Sequence, residues 1–129
     1  MNTAFYTSLL ALLWLSLTMY VILGRWKYGV SLGDGKERDL NRRIRAHANF
    51  VETVPLALIL LWIGEIHVFN PEVVHGFGIT LVVSRLFHAF GMLFPKRSTN
   101  RFRQIGMALT MITVGVESFW ILGTIVLNP

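Results

Sequence analysis

Residues 3–24 read TAFYTSLLALLWLSLTMYVILG, and this stretch contains no charged side chain. At about 1.5 Å of rise per residue, a helix of this length spans the roughly 30 Å of hydrocarbon in a bilayer. The run ends at the segment 25–28, RWKY, an aromatic and basic boundary typical of the headgroup region. Because the run lacks the basic start and small-residue cleavage site of a signal peptide, we interpret it as a retained membrane-spanning helix.

Three more apolar segments follow the first. The chain is 53% hydrophobic with a mean hydropathy of +0.55, which is more apolar content than a soluble domain of 129 residues can bury. We predict spans over 3–24, 39–69, 72–94 and 101–127. Asp39 or Asn41 is expected to cap the second span, Pro71 to open the third and Pro95 to end it.

Short connections make consecutive helices antiparallel neighbours. The predicted fold is therefore all-α: one domain, residues 1–129, that forms an integral-membrane four-helix up-down-up-down bundle. Three glycines of the fourth span, Gly106, Gly115 and Gly123, are expected to allow close approach of a neighbouring helix.

The positive charge of the chain is concentrated in two short segments. Eleven of the twelve Lys and Arg residues lie in 25–45 and 96–103, and only Arg85 lies elsewhere. The net charge of +5 thus reflects two basic loops, and this pattern argues against a nucleic-acid partner. The positive-inside rule places both loops in the cytoplasm and both termini on the other side.

The composition also limits the chemistry. The chain has no cysteine, which excludes disulfides, thiolate metal sites and a cysteine nucleophile. Its four histidines form no ligand cluster at short helical spacing, so we expect no metal site.

Several charged side chains fall inside the predicted spans, where each is costly and needs a partner. The spacing of +3, +4 and +3 puts Arg42, Arg45, Asn49 and Glu52 on one stripe of the second helix, and Arg85 and His88 share a face of the third. A structural interpretation is that Glu52 pairs with Arg85 or with an arginine of its own helix. Alternatively, the stripe suits a zwitterionic ligand with additional carboxylates, because arginine holds carboxylates and glutamate accepts from an ammonium group.

The segment 42–55, RRIRAHANFVETVP, resembles the signature of the MAPEG family, the membrane-associated proteins of eicosanoid and glutathione metabolism. The resemblance covers essentially the whole chain: its length, the four spans, the basic first loop, Arg85 and His88 in the third helix and the basic segment after it. The small bacterial branch of the family is the most similar.

This resemblance implies a homotrimer, and the expected location is the bacterial inner membrane. It also implies that the trimer binds glutathione as a co-substrate, in clefts between subunits near the cytoplasmic face. Arg45, Asn49 and Glu52 match family positions that hold glutathione, and Arg85 and His88 match positions of the third helix that complete the pocket. We also predict that Arg42, on the same stripe, binds glutathione, and that Lys27 reaches a carboxylate of the ligand from the adjacent subunit. Arg101, or its neighbour Arg103, falls where the family places a catalytic arginine beside the thiol, which would stabilise the reactive thiolate.

The resemblance leaves two classes of function open. One is a glutathione transferase or peroxidase that acts on lipophilic electrophiles arriving through the bilayer. The other is a non-catalytic membrane protein that binds lipid or another ligand on the same trimer. Met92 stands where enzymatic members often have a tyrosine, and Ala48 stands where some have a basic residue.

Two polar residues of the spans lie outside the motif stripe. We interpret His47 as structural because it points away from the stripe. For Glu117, which shares a face of the fourth helix with Thr110 and Thr113, a hydrogen-bonded contact between helices or subunits is the expected role, with a substrate role as the alternative.

The charge distribution predicts the topology. A reporter that is active only outside the cytoplasm, fused after residue 129, should be active, whereas the same reporter inserted within 33–36 should be silent. A fluorescent protein that folds only in the cytoplasm serves as the converse control at both positions. A cytoplasmic carboxyl terminus would contradict the predicted orientation.

Overall fold

The computed structural model describes residues 1–94 and 100–127, and in these ranges every regular element is an α-helix. The helices are α1 (Asn2–Tyr28), α2 (Arg38–His67), α3 (Pro71–Leu93) and α4 (Arg101–Leu127). Each of the four is long and apolar enough to cross a membrane. The expectation of an all-α protein with four spans is therefore confirmed.

The helix boundaries differ from the predicted ones by a few residues. Helix α1 continues for one turn past Gly24 into the basic boundary and ends where Gly29 adopts φ 65°, a left-handed conformation that glycine enters without steric cost. In the connection between α2 and α3, Asn70 caps the start of α3, since its side-chain oxygen accepts from the backbone amide of Val73 at 2.9 Å. Pro71 is the first residue of α3, as predicted. The predicted break at Pro95 lies outside the described residues.

The expected cap of α2 is wrong. The helix begins at Arg38, and its cap position is Glu37, whose side chain makes no capping hydrogen bond. Both candidate caps have other partners: Asp39 forms an ion pair with Arg43 at 2.8 Å, and the Asn41 amide donates to Asp34 at 2.7 Å. Helix α2 ends at His67, two residues earlier than predicted.

Helices α2 and α3 form the centre of the bundle. They contact each other, and each also packs against both outer helices, whereas α1 and α4 do not touch within the described ranges. Contacts near both ends of the helices show that consecutive helices run antiparallel. Asn2 of α1 meets Glu65 of α2, and Gly91 of α3 meets Arg103 of α4. We call the end that carries the α1–α2 connection the basic end.

At the basic end, a buried arginine joins α1 to α2. The Arg43 guanidinium lies 3.8 Å from the centre of the Tyr20 ring and donates to the Tyr20 carbonyl oxygen at 3.0 Å. Its ion-pair partner Asp39 also accepts from the Tyr28 hydroxyl at 3.0 Å. Because Arg43 binds α1, its neighbours Arg42 and Arg45 face away from α1.

At the opposite end, Glu65 binds the start of α1. Its carboxylate accepts from the backbone amides of Asn2 and Thr3, two of the amides that the first turn of a helix leaves without a partner. The Tyr6 hydroxyl and the His75 Nδ1 atom are hydrogen-bonded at 2.7 Å nearby. The two ends of α1 are thus held by polar contacts, and apolar packing holds its middle.

Helices α3 and α4 pack backbone against backbone at two glycines, Gly91 of α3 and Gly106 of α4. A methyl group on Gly106 would lie 2.5 Å from the Ser84 carbonyl oxygen and the His88 amide nitrogen. Beside this contact, the hydroxyls of Ser84 and Thr110 are hydrogen-bonded at 3.0 Å. Gly115 and Gly123 instead face open space, so the expectation of a close approach at all three glycines is correct for Gly106 alone within this subunit.

The Gly106 contact predicts a specific sensitivity to substitution. Gly106→Ala should destabilise the protein by about 1–3 kcal/mol, the usual effect of overpacking, because backbone atoms cannot move aside as a side chain can. Thermal unfolding in detergent measures the change. Gly115→Ala is the matched control on the same helix and should be neutral or slightly stabilising. Equal stability of the two variants would show that the contact does not hold α3 against α4.

Candidate functional site

A cavity of about 720 Å³ opens at the basic end between α2, α3 and α4. Helix α2 contributes its polar stripe, α3 its last turns and α4 its first turns. The lining residues are Asn41, Arg42, Arg45, Asn49, His88, Gly91, Met92, Arg103, Gln104, Met107, Ala108 and Met111. Five of the nine residues predicted from the sequence therefore share one cavity: Arg42, Arg45, Asn49, His88 and Arg103.

Helical periodicity places these side chains. Positions 42, 45 and 49 are three and four residues apart on α2, and positions 104, 107, 108 and 111 repeat the same pattern on α4. Asn100 directly precedes α4 and caps it, because its side-chain oxygen accepts from the Phe102 backbone amide at 2.9 Å. Arg103 therefore lies in the first turn of α4, where the helix itself contributes partial positive charge.

Within residues 1–94 and 100–127, the lining carries three guanidinium groups and no carboxylate. An acidic side chain holds one of the lining residues: the Asp34 carboxylate accepts from the Lys36 backbone amide at 3.0 Å and from the Asn41 side chain at 2.7 Å. These two hydrogen bonds lower the pKa of Asp34 below its ordinary value, so Asp34 stays ionised at neutral pH and keeps Asn41 in place. The cavity itself presents positive charge and amide groups, which favours an anionic ligand.

Arg85 lies behind the cavity and orients one of its residues. It is 1% exposed, and its Nη1 atom donates to the Thr53 hydroxyl at 2.6 Å and to the Asn49 Oδ1 atom at 3.2 Å. Because a guanidinium only donates, Asn49 turns its oxygen toward Arg85 and its amide nitrogen toward the cavity. The Nε and Nη2 atoms of Arg85 have no hydrogen-bond partner within the part of the chain that the structure describes.

The ion pair suggested between Glu52 and Arg85 is absent from the described residues, where Arg43–Asp39 is the salt bridge that forms. Glu52 is exposed on α2 and does not line the cavity. Glu52 follows Asn49 by three residues in the sequence, but its carboxylate lies on the outer surface of the subunit because the helix turns between the two positions.

Two further predicted residues also lie away from the cavity in the single subunit. The Lys27 ammonium is exposed and lies 4.7 Å from the centre of its neighbour's ring, Tyr28. Arg101 is exposed at the start of α4. Of the two candidate arginines in α4, Arg103 is thus the one that lines the cavity.

The sulfur atoms of two methionines contact donors in the cavity. The Asn49 amide donates to the Met107 Sδ atom at 4.0 Å, and the Arg103 Nη1 atom donates to the Met92 Sδ atom at 3.8 Å. Thioether sulfur is a weak acceptor, so both donors remain available to a stronger one. Gln104, Met107 and Met111 line the cavity but were not predicted from the sequence. Met107 and Met111 follow Arg103 by four and eight residues, a spacing that would have indicated them.

Glu117 lies outside this cavity and has an environment that the sequence did not predict. Its side chain is 0% exposed, and neither carboxylate oxygen has a hydrogen-bond partner among residues 1–94 and 100–127. Thr110 bonds to Ser84, and Thr113 bonds to the Leu109 carbonyl of its own helix. The expected hydrogen-bonded contact between helices is therefore wrong within the subunit, although Glu117 is buried between helices as expected.

The other polar residue outside the stripe is His47. Its ring centre lies 6.2 Å from that of Trp14 on α1, so it faces away from the cavity. The described residues hold no group of three or more His, Asp or Glu side chains that could bind a metal.

Comparison with known proteins agrees with this architecture. The profile of the MAPEG family matches residues 3–123. The chain is 36% identical over 110 residues to the inner membrane protein YecN of Escherichia coli K12, across 85% of this chain and 82% of the relative, and YecN of E. coli O6:H1 strain CFT073 matches equally well. Four helices able to span a membrane, together with an inner-membrane relative, support an integral inner-membrane protein. On the match to the family profile and the identity to YecN, the chain belongs to the MAPEG family.

Proposed function

We propose that this protein binds glutathione in the cavity at the basic end and acts as a glutathione transferase or peroxidase on lipophilic electrophiles. The observation that carries the proposal is the clustering of three arginines, an oriented asparagine and a histidine around one cavity. Glutathione has two carboxylates, one ammonium group and a thiol. Its anionic groups complement this lining.

In this proposal the parts of the cavity have different roles. Arg42 and Arg45 bind the carboxylates of the peptide, and the Asn49 amide, directed by Arg85, binds a carbonyl or carboxylate oxygen. Arg103 and the first turn of α4 stabilise the thiolate. The chain has no cysteine, so the nucleophilic sulfur belongs to the ligand.

The chemical step then needs little more from the protein. The thiol loses its proton to solvent, and the thiolate attacks the electrophilic carbon, forming the sulfur–carbon bond as the leaving group departs with its electron pair. In the peroxidase variant the thiolate attacks a peroxide oxygen and releases an alcohol, and a second glutathione converts the sulfenic acid to a disulfide with loss of water.

The far side of the cavity supports a lipophilic second substrate. Met107, Ala108 and Met111 continue the lining along α4 away from the arginines, and the neighbouring Ile105 and Ile112 are exposed apolar side chains on the same helix. A substrate dissolved in the bilayer could approach along this surface. Methionine side chains adapt to different shapes, which fits a broad range of electrophiles.

A homotrimer is part of the proposal. Among the described residues of the subunit, no acidic side chain lines the cavity to receive the glutathione ammonium group. Glu52 is exposed on α2 within a candidate membrane span, where a charge facing lipid is costly. A neighbouring subunit would cover Glu52 and bring it, or Lys27, toward a site between subunits. Under the positive-inside rule this site faces the cytoplasm.

Arg45→Ala should weaken glutathione binding roughly 10- to 100-fold, because a hydrogen bond to a charged group contributes about 1.5–3 kcal/mol. Isothermal titration calorimetry on detergent-purified protein measures the affinity. Arg38→Ala removes the same charge from an exposed position on the same helix, outside the cavity, and should change the affinity little. An unchanged affinity in Arg45→Ala would remove this residue from the site.

Arg103→Ala should slow turnover at neutral pH more than it weakens binding. Without the cation, the pKa of the bound thiol rises, so the acidic limb of the pH–rate profile moves to higher pH. Arg101→Ala is the matched control, since Arg101 lies two residues away and outside the cavity, and its profile should stay where it is. The measurement is the rate with an aromatic electrophile between pH 5 and 9.

Two results would contradict this assignment. A shift in Arg101→Ala alone would transfer the role to Arg101. Glutathione binding by the unmodified protein without turnover of any electrophile or peroxide would favour the non-catalytic function, with which Met92 at the tyrosine position is consistent.

A further inference from the structure

Two of the donors in the cavity contact methionine sulfur. Arg103 donates to Met92 and Asn49 donates to Met107, at 3.8 and 4.0 Å. Three of the five methionines of the chain line this cavity, the third being Met111. The other two, Met1 and Met19, are exposed on α1 or at its start.

The two donors are held in position from behind. Arg85 donates to the side-chain oxygen of Asn49. A flip of the amide group, which would turn its nitrogen away from Met107, would therefore break this hydrogen bond. Arg103 is held by its backbone, which packs directly on Gly91. The Asn49 donor therefore has little freedom to leave Met107, and the fixed backbone of Arg103 keeps its guanidinium within reach of Met92.

Oxidation would change the strength of these contacts. A hydroperoxide transfers one oxygen atom to a thioether, so that the sulfur is oxidised by two electrons and the peroxide is reduced to water or an alcohol. The product, a sulfoxide, is polar and carries an oxygen that accepts hydrogen bonds far better than the sulfur did. Met92 and Met107 are only partly buried and line a cavity open at the basic end, where a dissolved peroxide can reach them.

We propose that Met92 and Met107 form a reversible oxidation site whose sulfoxides bind Arg103 and Asn49 and close the cavity to anionic ligands. As sulfoxides, the two residues supply the oxygen acceptors that an incoming carboxylate or thiolate would otherwise provide. Methionine sulfoxide reductases would restore the thioethers and with them the free donors. The effect on ligand affinity rests on the proposed glutathione site, whereas the oxidation itself and the occupation of Arg103 do not.

The first measurement locates the oxidation. Purified protein in detergent is treated with hydrogen peroxide, and peptide mass spectrometry follows the gain of one oxygen at each methionine. Met92 and Met107 should be oxidised several times faster than Met19, which is exposed on α1 within a candidate membrane span that detergent would cover. Oxidation of Met92 and Met107 at or below the rate of Met19 would overturn the proposal.

The second measurement follows Arg103 without any ligand. Phenylglyoxal modifies accessible arginines, and mass spectrometry reports the rate at each one. After oxidation Arg103 should react several times more slowly, while exposed Arg101 in the same molecule should react at its original rate. The variant Met92→Leu, which keeps the volume but cannot be oxidised, should show no protection of Arg103. Equal reactivity of Arg103 before and after oxidation of the unmodified chain would overturn the proposal.

The third measurement connects the site to glutathione. Oxidised protein should bind glutathione on the order of tenfold more weakly than unoxidised protein, since a donor to a charged ligand group is occupied. In the double variant Met92→Leu/Met107→Leu, oxidant should leave the affinity at that variant's own starting value. Failure of the unoxidised protein to bind glutathione would count against the proposed function. In that case the protection of Arg103 from phenylglyoxal would still show whether oxidised Met92 binds it.

Discussion

The bilayer interior provides no water to hydrogen-bond with the chain, and this constraint accounts for most of the structure. Backbone groups must be satisfied within each segment, which leaves the helix as the available form for four separate apolar segments. The same constraint governs side chains. Buried Arg43 donates to the Tyr20 carbonyl oxygen of α1 and pairs with Asp39 of its own helix, and buried Arg85 donates to the side-chain oxygens of Asn49 and Thr53 on α2. The polar residues that hold the helices together thus also determine how they are rotated about their axes.

Rotation of α2 is what separates structural from candidate functional arginines. Arg43 turns toward α1 and is 8% exposed, whereas Arg42 and Arg45 turn toward the cavity and are exposed. On α3, Arg85 is wholly buried and positions Asn49, while His88 one turn later reaches the cavity. Arginines that look alike in the sequence therefore act at different depths: Arg43 joins α1 to α2, Arg85 orients the Asn49 side chain, and Arg42 and Arg45 contribute positive charge to the cavity.

The fold was predictable from the sequence because hydropathy and charge vary on the scale of whole helices, and all four spans were recovered with ends a few residues off. The α2 stripe was predictable for a similar reason, since spacing alone puts Arg42, Arg45 and Asn49 on one face. Contacts between different helices were not predictable. The sequence could not show that Arg85 bonds to Asn49 and Thr53 instead of Glu52, or that Glu117 is buried without a hydrogen-bond partner in the subunit, because both depend on how α2, α3 and α4 pack.

The contact of Gly106 with α3 fixes how α4 is rotated about its own axis, and this affects how related sequences should be aligned. Each residue of an α-helix turns by about 100°, so inserting one residue between Arg103 and Gly106 would swing the guanidinium to a different side of the helix. The distance in sequence from the glycine, rather than from the preceding loop, decides which basic residue of a homologue faces the cavity. Arginines three residues before such a glycine are the equivalents of Arg103, whatever the length of the loop that comes before them.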